Sequence, residues 1–379
     1  MKKIYALVTA ALACLTLAAQ NSNPPENSYE RQYYGNVNAV RRNVVVPNIK
    51  GFYTLKGDFH MHTSYVDGRV MPMARVQEAW ADDLDVIAMT EHIKHNKWKG
   101  TSNKDKNLPY AYSVEAAKKF GIIVVHGAEI TTAKPFGHMN VLFIKDGNAF
   151  TEDLYYRDKN GKGRKTELGF WEVDEKKLQH DLDEAYKQGA FILWNHPGWP
   201  DKDCRMYDIH KKMIAEGHIN GVEIANNIEW YPRVLEWQRD YDLPLFANSD
   251  AHYEMNFLYS KVQRNITLVF AKEKSEEGVK EALFAGRTLA WFNNTLAGDA
   301  EYLAPFVKRC LKIKAIDASK GIVTIENHTD VELQTLWGEH MTPVVFYPHT
   351  ARRVTLPKGT VVEFVNCLAG PETLKIVLW

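Results

Sequence analysis

The feature that most constrains the fold of this 379-residue chain is an alternation, from Gly51 onward, between short apolar runs and stretches of helical periodicity. In the helical stretches, apolar residues recur at intervals of three and four, which is typical of helices that pack by one face. Repeated βα units of this kind build a parallel sheet or a barrel. We predict helices at 72–82, 113–120, 175–188 and 208–216, and strands at 54–59, 84–89, 122–125, 139–144, 190–194, 221–224 and 243–247, followed by an eighth apolar run at 265–270.

The pattern changes near Cys310. Beyond it, alternating β-branched stretches are separated by glycine, proline and asparagine turns, which predicts a small all-β module resembling a sandwich. Because a single hydrophobic core rarely grows beyond about 250 to 300 residues, we expect one large domain and one small one. The predicted boundaries are a barrel domain at 51–298 and a β-sandwich-like domain at 299–379, preceded by a polar tether at 21–50.

The first twenty residues have a different character. Lys2 and Lys3 precede an apolar run, 4–19, that is too short for a membrane span and ends in small residues. This predicts a secretory signal peptide at 1–20, and hence an exported protein, periplasmic or secreted, with no transmembrane span in the mature form. Lipid anchoring through Cys14 is disfavoured, because apolar residues continue past it.

Composition limits the partners. The chain has 47 basic and 47 acidic residues, whereas a protein that binds a nucleic-acid duplex through its phosphates needs a net basic surface, so no duplex partner is expected. An anionic substrate is not excluded, since bound metal ions could supply positive charge locally. The cysteines beyond the signal peptide are too few for a disulfide framework, although one bridge between Cys310 and Cys367 stays open.

Histidines and carboxylates recur just past the predicted strands, and this recurrence is the strongest functional signal. His60 and His62 lie two apart at a strand end and therefore point to the same side, where both could bind one cation; Asp250 and His252 repeat the spacing. In an α/β barrel the carboxyl ends of all strands open on one face, so residues distant in sequence converge there. The set is completed by Glu91, His92, Glu129, His138, His196 and Glu223.

Each of these residues, taken alone, has a simpler explanation. A lone histidine in a loop is more often hydrogen-bonded than metal-bound, and a carboxylate after a strand often caps the next helix. Their joint recurrence favours a metal centre. Imidazole and carboxylate donors suit zinc, manganese or iron, and the lack of a cysteine beside these motifs argues against a structural thiolate zinc, so the predicted centre is catalytic in type.

Several of these residues fall in a specific combination of motifs. It consists of Gly57-Asp58-Phe59-His60-Met61-His62-Thr63 with Asp67-Gly68, then Thr90-Glu91-His92, Glu129, His138, His196 and Asn248-Ser249-Asp250-Ala251-His252. Over about residues 51–295, this combination resembles the PHP family, named for polymerase and histidinol phosphatase domains. The resemblance implies a distorted (β/α)7 barrel with a two- or three-metal centre at the carboxyl ends of the strands.

The resemblance also implies a role for each residue. One cation would be held by His60, His62, Glu129 and Asp250, a second by Glu129, His138 and His196, and a third by Asp67, His92 and His252. The family often has Asp-His where this chain has Glu91-His92, so Glu91 is expected to support the ligands. His252, His92 and Glu91 are the candidates for catalytic proton transfer.

Two or three divalent cations, zinc, manganese or iron, would suit hydrolysis of a small-molecule phosphate mono- or diester, because they clamp a phosphate oxygen and activate water. We therefore predict a metal-dependent phosphoesterase. Trp194, Trp199 and Trp230 either stack on a substrate ring or pack in the core. The candidates for binding the remaining phosphate charge, each equally readable as a solvated surface charge, are Arg69, Lys94, Lys97 and Arg233.

Two other functions stay open. A multi-metal barrel can also hydrolyse amides or lactones, but such barrels commonly add a metal-bridging lysine at a strand end, and no predicted strand here ends in one. A secreted ligand-binding protein with a structural metal centre is the second alternative. It predicts a damaged ligand set, whereas the set in this sequence is intact.

Overall fold

The computed structural model describes residues 41–94, 105–167, 169–339 and 342–379. The predicted signal peptide at 1–20, most of the predicted tether at 21–50, and Lys97 lie outside the described residues. Within the described ranges, no helix combines the length and the apolar character needed to span a membrane.

The described chain alternates strands and helices over most of its length. The strands are β1 (Tyr53–Asp58), β2 (Val86–Met89), β3 (Ile123–Thr131), β4 (His138–Leu142), β5 (Phe191–Trp194), β6 (Gly221–Asn226), β7 (Glu229–Trp230), β8 (Leu245–Asn248), β9 (Ile266–Ala271), β10 (Thr288–Phe292), β11 (Thr295–Gly298), β12 (Leu311–Asp317), β13 (Ile322–Asn327), β14 (Leu333–Leu336), β15 (Val344–Phe346), β16 (Thr350–Thr355), β17 (Val361–Ala369) and β18 (Glu372–Val377). The helices are α1 (Pro72–Ala81), α2 (Leu108–Ala117), α3 (Glu175–Gln188), α4 (Asp208–Ala215), α5 (Val234–Tyr241), α6 (Met255–Leu258), α7 (Glu276–Phe284) and α8 (Ala300–Cys310), with a 3-10 turn at Gly147–Ala149.

One large sheet organises these elements. Its order is β15-β14-β17-β11-β10-β9-β1-β2-β3-β4-β5-β6-β7, with β8 on β6 and β18 on β17. The pairs β1–β2, β2–β3, β5–β6 and β6–β8 are parallel, and helices connect them. The predicted α/β class is therefore confirmed, and the strands lie close to the predicted positions, while the (β/α)7 barrel stays a prediction.

Strand β4 departs from the uniform βα pattern, because it runs antiparallel to both β3 and β5. Only residues 132–137 separate β3 from β4. A parallel connection needs a dozen or more residues to cross back, so a link this short forces the next strand to reverse. The reversal places the start of β4, rather than its end, beside the carboxyl ends of its parallel neighbours.

The segment that follows β1 meets the segment that follows β8 at a narrow seam. Strand β1 pairs along its length with β9, and beyond β1 the chain joins the segment after β8 through a parallel bridge between Met61 and Ala251. The amide of Asp250 donates to the carbonyl of His60 (2.8 Å), and the amide of His62 donates to the carbonyl of Ala251 (3.1 Å). This seam fixes the two segments that carry the paired site residues against each other.

Large aromatic side chains fill one part of the core. Phe246 packs against Phe59 and Phe191, with ring centroids 5.8 and 5.7 Å apart, and all three are fully buried. Gly57 and Gly221 make room for them, since a Cβ at either position would lie 2.6 or 2.7 Å from a phenylalanine ring carbon. Close packing of this kind leaves the strand ends little freedom to move.

The C-terminal strands are joined to the sheet that carries β1–β11. Strand β17 pairs in parallel with β11, with Leu296 opposite Cys367, and β14, β15 and β18 continue from β17. Strands β12, β13 and β16 form a separate three-stranded sheet. The predicted boundaries 299–379 also enclose helix α8, which the β-branched pattern beyond Cys310 did not indicate; the domain boundaries stay a prediction.

The described end of the predicted tether is tied to the rest of the chain. The amide of Val44 donates to Asp83 (2.9 Å), and the amide of Val45 donates to Asp330, whose own amide donates back to the Val45 carbonyl. Val44 and Val46 also pack against the buried core. Residues 42–46 therefore connect the βα part of the molecule, through Asp83, with the C-terminal strands, through Asp330.

Candidate metal centre

All nine residues predicted as metal ligands converge at one end of the sheet, called the mouth here, where β1, β2, β5, β6 and β8 end and β4 begins. Four groups of three or four residues bring possible ligand atoms within 4.8 Å of one another. The groups are His60, His62 and Glu129; His60, His196 and Asp250; Glu129, His138 and His196; and His62, Asp67, His92 and His252. The nine residues therefore lie together, and their role as metal ligands stays a prediction.

Glu129 lies at the centre of this cluster and is fully buried. Its Oε1 lies 3.0 Å from Nδ1 of His138, 3.6 Å from Nε2 of His196 and 3.7 Å from Nε2 of His60. Its Oε2 lies 2.5 Å from Nδ1 of His92 and 3.5 Å from Nε2 of His62. One carboxylate thus faces imidazoles from three strand ends and from the start of β4, which is the position of a bridging ligand.

Asp250 closes the cluster from the opposite side. Its Oδ1 lies 3.3 Å from Nε2 of His60 and 3.1 Å from Nε2 of His62, and its Oδ2 lies 3.7 Å from Nε2 of His196. Asp250 and His196 both have positive φ, 50° and 21°. Non-glycine residues held in such conformations cost on the order of 1–3 kcal/mol and occur preferentially at functional sites.

The third group lies beside the other two. Asp67 places Oδ1 3.3 Å from Nε2 of His252 and Oδ2 3.6 Å from Nε2 of His92. The ring of His62 stacks between those of His92 and His252, at 4.3 Å from each. Asp67 is thus correctly placed in the cluster, although it belongs to a loop rather than to a strand end.

The arrangement of these side chains suits ligation of a divalent cation better than direct hydrogen bonds among the side chains. The Nε2 atoms of His60 and His62 face each other at 3.2 Å. Among the described residues, none offers a well-aligned hydrogen bond to the buried atoms Oε2 of Glu129, Oδ1 of Asp250 or Oδ1 of Asp67. Buried polar atoms normally have a hydrogen-bond partner. Buried carboxylate oxygens that lack one and face imidazole nitrogens therefore fit a site that binds cations.

The protonation of the clustered side chains also suits metal binding. Burial, together with the neighbouring His252 and His92, lowers the pKa of His62 to about 3, so this imidazole is neutral and able to ligate. Burial opposes ionisation of Glu129, but His92 and His138 outweigh it and hold its pKa well below the ordinary value. Burial would lower the pKa of His60, yet Asp250 and Glu223 raise it well above the ordinary value. Protons thus balance the carboxylates without metal, and cations would displace them.

One solved structure is similar to this chain over most of its length. A two-domain protein from Bacteroides vulgatus, containing a predicted PHP-like metal-dependent phosphoesterase, is 33% identical over 89% of this chain and 98% of its own, with a TM-score of 0.78. The chain belongs to the PHP-like family. No family model and no curated protein matches it.

Two further PHP-like comparisons are distant. A histidinol phosphate phosphatase from Lactococcus lactis, complexed with zinc, L-histidinol and phosphate, is 16% identical over 52% of this chain and 87% of its own, with a TM-score of 0.29. A lesion-specific endonuclease from Pyrococcus furiosus is 15% identical over 66% of this chain and 60% of its own, with a TM-score of 0.41. Neither likeness is close enough to bear on the site.

Glu223 orients one ligand of the PHP-like site from behind. Its Oε1 lies 2.9 Å from Nδ1 of His60 and also accepts from Asn248 (2.9 Å), while its Oε2 accepts from the amide of His196 and from Asn226, both at 2.8 Å. With Nδ1 engaged by a carboxylate, His60 presents Nε2 to the cluster. Carboxylates behind metal-binding histidines fix the tautomer and raise ligand basicity in this way.

Asparagines position the central carboxylate of the PHP-like site. Asn195 donates 3.0 Å to Oε1 of Glu129 and 2.9 Å to Asn140, which in turn donates 3.0 Å to the carbonyl of Phe59. All four residues are buried. The chain of hydrogen bonds ties Glu129 on β3 to β4, to the end of β5 and to the segment after β1, so a shift of any one strand end would move the carboxylate.

Two buried arginines reinforce the seam. Arg75 on α1 donates to the carbonyls of His62 (3.0 Å), Ala251 (2.9 Å) and Tyr253 (2.8 Å). Arg264 pairs with Asp58 (2.9 Å), and Asp58 in turn accepts from the amides of His60 and Ser249. Both guanidinium groups thus act on the backbone of the ligand-carrying segments rather than facing the mouth.

Glu91 is held by its neighbour and does not join the ligand groups. Its two carboxylate oxygens accept from the hydroxyl and the amide of Thr63. Burial, partly offset by those hydrogen bonds, raises its pKa to about 7. This arrangement matches the expected supporting role, and the part of Glu91 in catalytic proton transfer stays a prediction.

The predicted cationic residues differ in availability. Arg69 is exposed beside the third group, with its amide on the carbonyl of His252 and its guanidinium 4.6 Å from the Tyr253 ring centroid. Lys94 pairs with Asp153 (2.9 Å), and Arg233 donates to the carbonyl of Asp203 (3.1 Å). Arg69 is therefore the best placed of these three, and Lys97 lies outside the described residues.

The tryptophans predicted near the site also differ in burial. Trp194 is buried and stacks on His210 and Trp237, with centroids 4.0 and 4.8 Å apart, so it packs in the core. Trp199 is 56% exposed. The supporting residues Glu223, Asn140, Asn195 and Arg75 were not assigned roles from sequence; only Glu223 stood in a visible pattern, at the sixth strand.

Proposed function

We propose that this chain is a metal-dependent phosphoesterase that hydrolyses a phosphate mono- or diester of a small molecule with a metal-activated water. Support comes from membership of the PHP-like family and from the description of the Bacteroides vulgatus protein as containing a predicted metal-dependent phosphoesterase. A small-molecule substrate, rather than a nucleic-acid duplex, agrees with the balanced charge of the chain.

The observation that carries this proposal is the position of Glu129, which belongs to two ligand groups at once. A carboxylate shared by two groups would hold two cations a few ångströms apart. Bound there, two or three divalent ions of zinc, manganese or iron would neutralise phosphate charge and make water nucleophilic near neutral pH. The surrounding imidazoles and carboxylates supply the nitrogen and oxygen donors such ions prefer.

The protein's own groups would hold and protonate the substrate at the edge of the cluster. Burial would lower the pKa of His252, but the carboxylate of Asp67, 3.3 Å from its Nε2, and the charge of Asp250 raise it to about 9. Where the third group binds no cation, the protonated His252 can therefore donate to the departing oxygen. Exposed Arg69 would hold two phosphate oxygens by two parallel hydrogen bonds.

The test starts from metal-free protein. We expect that adding Mn²⁺ or Zn²⁺ restores release of p-nitrophenol from p-nitrophenyl phosphate or bis-p-nitrophenyl phosphate, and that chelation abolishes it. His138→Ala should lower kcat/KM at least 100-fold and reduce bound metal measured by plasma mass spectrometry. His180→Ala, at a histidine whose side chain is 63% exposed, is the matched control and should change neither.

Two results would contradict the phosphoesterase proposal. Cleavage of p-nitroacetanilide or of a lactone by the metal-loaded protein, with both phosphoesters left intact, would favour the amide or lactone hydrolase instead. Metal binding with no hydrolysis of any ester would favour a ligand-binding protein.

We also propose that the chain is exported, with residues 1–20 removed. The support is the pattern of two lysines followed by an apolar run that ends in small residues. N-terminal sequencing of protein recovered from the periplasm or medium should begin between residues 19 and 21. Recovery of full-length protein from the cytoplasm alone would contradict export.

A further inference from the structure

A cavity of about 640 Å³ lies beside the metal centre, between the loop after β5 and the hairpin formed by β6 and β7. Its walls include Gly198, Trp199 and Lys202 from the loop, and Glu229, Trp230 and Tyr231 from the hairpin. This volume is within the range of small-molecule binding sites. None of these residues takes part in the ligand groups described above.

Both walls of the cavity are attached to residues of the metal cluster. On one side, Trp199 follows His196 by three residues, its amide donates to the His196 carbonyl (2.8 Å), and its own carbonyl lies 3.2 Å from Nδ1 of His196. On the other side, Glu229 pairs across the hairpin with Asn226, whose side chain donates to Glu223. Both walls of the cavity are therefore connected, by one or two contacts, to residues that hold or support the ligand groups.

The loop and the hairpin pack directly against each other where Gly198 meets the ring of Tyr231. A Cβ on Gly198 would lie 2.5 Å from a ring carbon of Tyr231, so only glycine lets the loop rest on that ring. The hydroxyl of Tyr231 donates to Oε2 of Glu229 (2.6 Å). Loop and hairpin are thus held as one preformed surface, which lowers the entropic cost of binding.

The chemistry of the lining is mixed. Trp199 is 56% exposed, and Trp230 stacks on Phe292 at 5.6 Å, which steadies its indole. Glu229 and Lys202 are exposed beside these rings, and no described residue donates a hydrogen bond to Oε1 of Glu229. The cavity therefore combines apolar indole surface with one free carboxylate acceptor and one ammonium donor.

From this combination we propose, resting on the proposed phosphoesterase function, that the cavity is a subsite for a sugar ring, so that the substrate is a sugar phosphate. The C–H face of a pyranose packs on an indole, and its hydroxyls pair with a carboxylate and an ammonium group. Glu229 disfavours a second anionic group in the cavity. A flat aryl ring would have no hydroxyl to offer Glu229.

The test compares three phosphomonoesters on the metal-loaded protein, or the matching methyl diesters if only diesters are cleaved. Glucose 6-phosphate has ring and hydroxyls, glycerol 3-phosphate has hydroxyls without a ring, and phenyl phosphate has a ring without hydroxyls. We expect kcat/KM to be highest for glucose 6-phosphate. The ratio of kcat/KM for glucose 6-phosphate to that for glycerol 3-phosphate should fall at least tenfold in Trp199→Ala and severalfold in Glu229→Gln.

Tyr186→Ala is the control, because this tyrosine is 71% exposed on α3 and outside the cavity; the ratio should not change. A ratio near one in the unaltered protein, or one that neither Trp199→Ala nor Glu229→Gln lowers, overturns the subsite. Preference for phenyl phosphate overturns it in favour of an aryl ring.

A second measurement separates this proposal from the phosphoesterase itself. Saturation-transfer NMR on metal-free protein with methyl α-glucoside requires no hydrolysis, and it should show ring-proton signals that weaken in Trp199→Ala. If those signals appear while every phosphate ester stays intact, the sugar site stands and the phosphoesterase fails. If phosphates are cleaved without sugar preference and no signal appears, the reverse holds.

Discussion

At the scale of single residues, Glu223 decides which nitrogen of His60 faces the cluster. Four hydrogen-bonding contacts fix its carboxylate, and one of them is to Nδ1 of His60. Because Nδ1 is engaged from behind, the lone pair of Nε2 points toward Glu129 and Asp250. The basicity of that nitrogen depends on the negative charge of Glu223, which is the part of the arrangement that a neutral substitute would lose.

Glu223→Gln should therefore weaken metal binding without unfolding the protein. We expect metal affinity, measured by competition with a chromophoric chelator, to fall about 10- to 100-fold, which is the usual effect of losing such a supporting carboxylate. Glu236→Gln, at an exposed position on α5, is the control and should bind as the unaltered chain does. Equal affinities for both variants would show that Glu223 only packs.

Most of the nine ligand candidates could be predicted because strand ends converge whatever the rest of the fold does, whereas Asp67, in a loop, came only from the resemblance of the motifs to the PHP family. Asn140, Asn195 and Arg75 could not, because their roles depend on distances between segments that lie far apart in sequence. Asn195 reaches Glu129 across 66 positions, and Arg75 reaches Ala251 across 176. Arg69 and Glu91 were both visible as charged residues near the motifs, but only coordinates separate an exposed guanidinium from a carboxylate already bound by Thr63.

At the scale of elements, the segments that follow β1 and β8 are joined by few backbone contacts. These segments are connected by the short bridge at Met61 and Ala251, whereas their neighbours share longer ladders. Arg75, fully buried on α1, adds donors to the carbonyls of His62, Ala251 and Tyr253. A helix thus holds together two segments that the sheet itself joins at few points.

Arg75→Met should loosen this joint. It removes the donor to the buried carbonyl of His62, one of the two donors to the carbonyl of Ala251, and the donor to the carbonyl of Tyr253. We expect the free energy of unfolding of the metal-free protein, from urea titration, to fall by about 3 kcal/mol. Bound metal per chain should fall as well, because His62 and His252 separate. Arg75→Lys should lose less, and exposed Arg309→Met nothing. A folded Arg75→Met protein with full metal content would contradict the positioning role.

His210 makes the start of α4 sensitive to acid. The amide of Tyr207 donates to its Nδ1 (3.1 Å) and its Nε2 donates to the carbonyl of Phe136 (3.0 Å), so both ring nitrogens are used by the neutral form. Burial lowers the pKa of His210 to about 4. The unfolded chain, with an ordinary value near 6.5, binds the proton more readily, so stability is present above pH 6.5 and is lost as pH falls toward 4.

The loss should be on the order of 2–3 kcal/mol between pH 7 and pH 4 for this residue. We expect urea midpoints of metal-free protein to fall over this range, and to fall less in His210→Asn, which does not titrate. His180→Asn, at an exposed histidine, should keep the full pH dependence. Parallel curves for His210→Asn and the unaltered chain would exclude this source of acid sensitivity.

The sequence located the βα strands well because buried strands carry continuous apolar runs. It did not reveal the direction of β4, although the six residues 132–137 are too few for a crossover helix. Strands β10 and β11 and helix α8 were missed as well. Their pairing with β9 and β17 depends on partners that no local pattern specifies.

At the scale of the whole molecule, residues 42–46 hold the C-terminal strands against the rest of the chain. Their backbone bonds to Asp83 and Asp330 connect two parts of the sequence that lie far apart. A segment read from sequence as a tether is, at this end, part of the packed structure. Its contribution to stability can be measured because the bonds lie at one end of the described chain.

A chain beginning at Pro47 should be less stable than one beginning at Arg41. Three or four backbone hydrogen bonds and the packing of Val44 and Val46 are lost, so we expect the free energy of unfolding to fall by about 3 kcal/mol and the melting temperature by several degrees. Differential scanning calorimetry on the two chains, both with metal, measures this. Coinciding transitions would mean that the segment merely rests on the surface.

The parallel pairing of β11 with β17 has a practical consequence for anyone who wishes to divide the protein. Ending the chain after Gly298 would leave β11 as a bare sheet edge, with open amides and carbonyls and the apolar side chains of Leu296 and Ala297 beside them. Such edges recruit other chains and promote aggregation. The part of the chain up to Gly298, which carries the candidate metal centre, is therefore expected to be insoluble when produced alone.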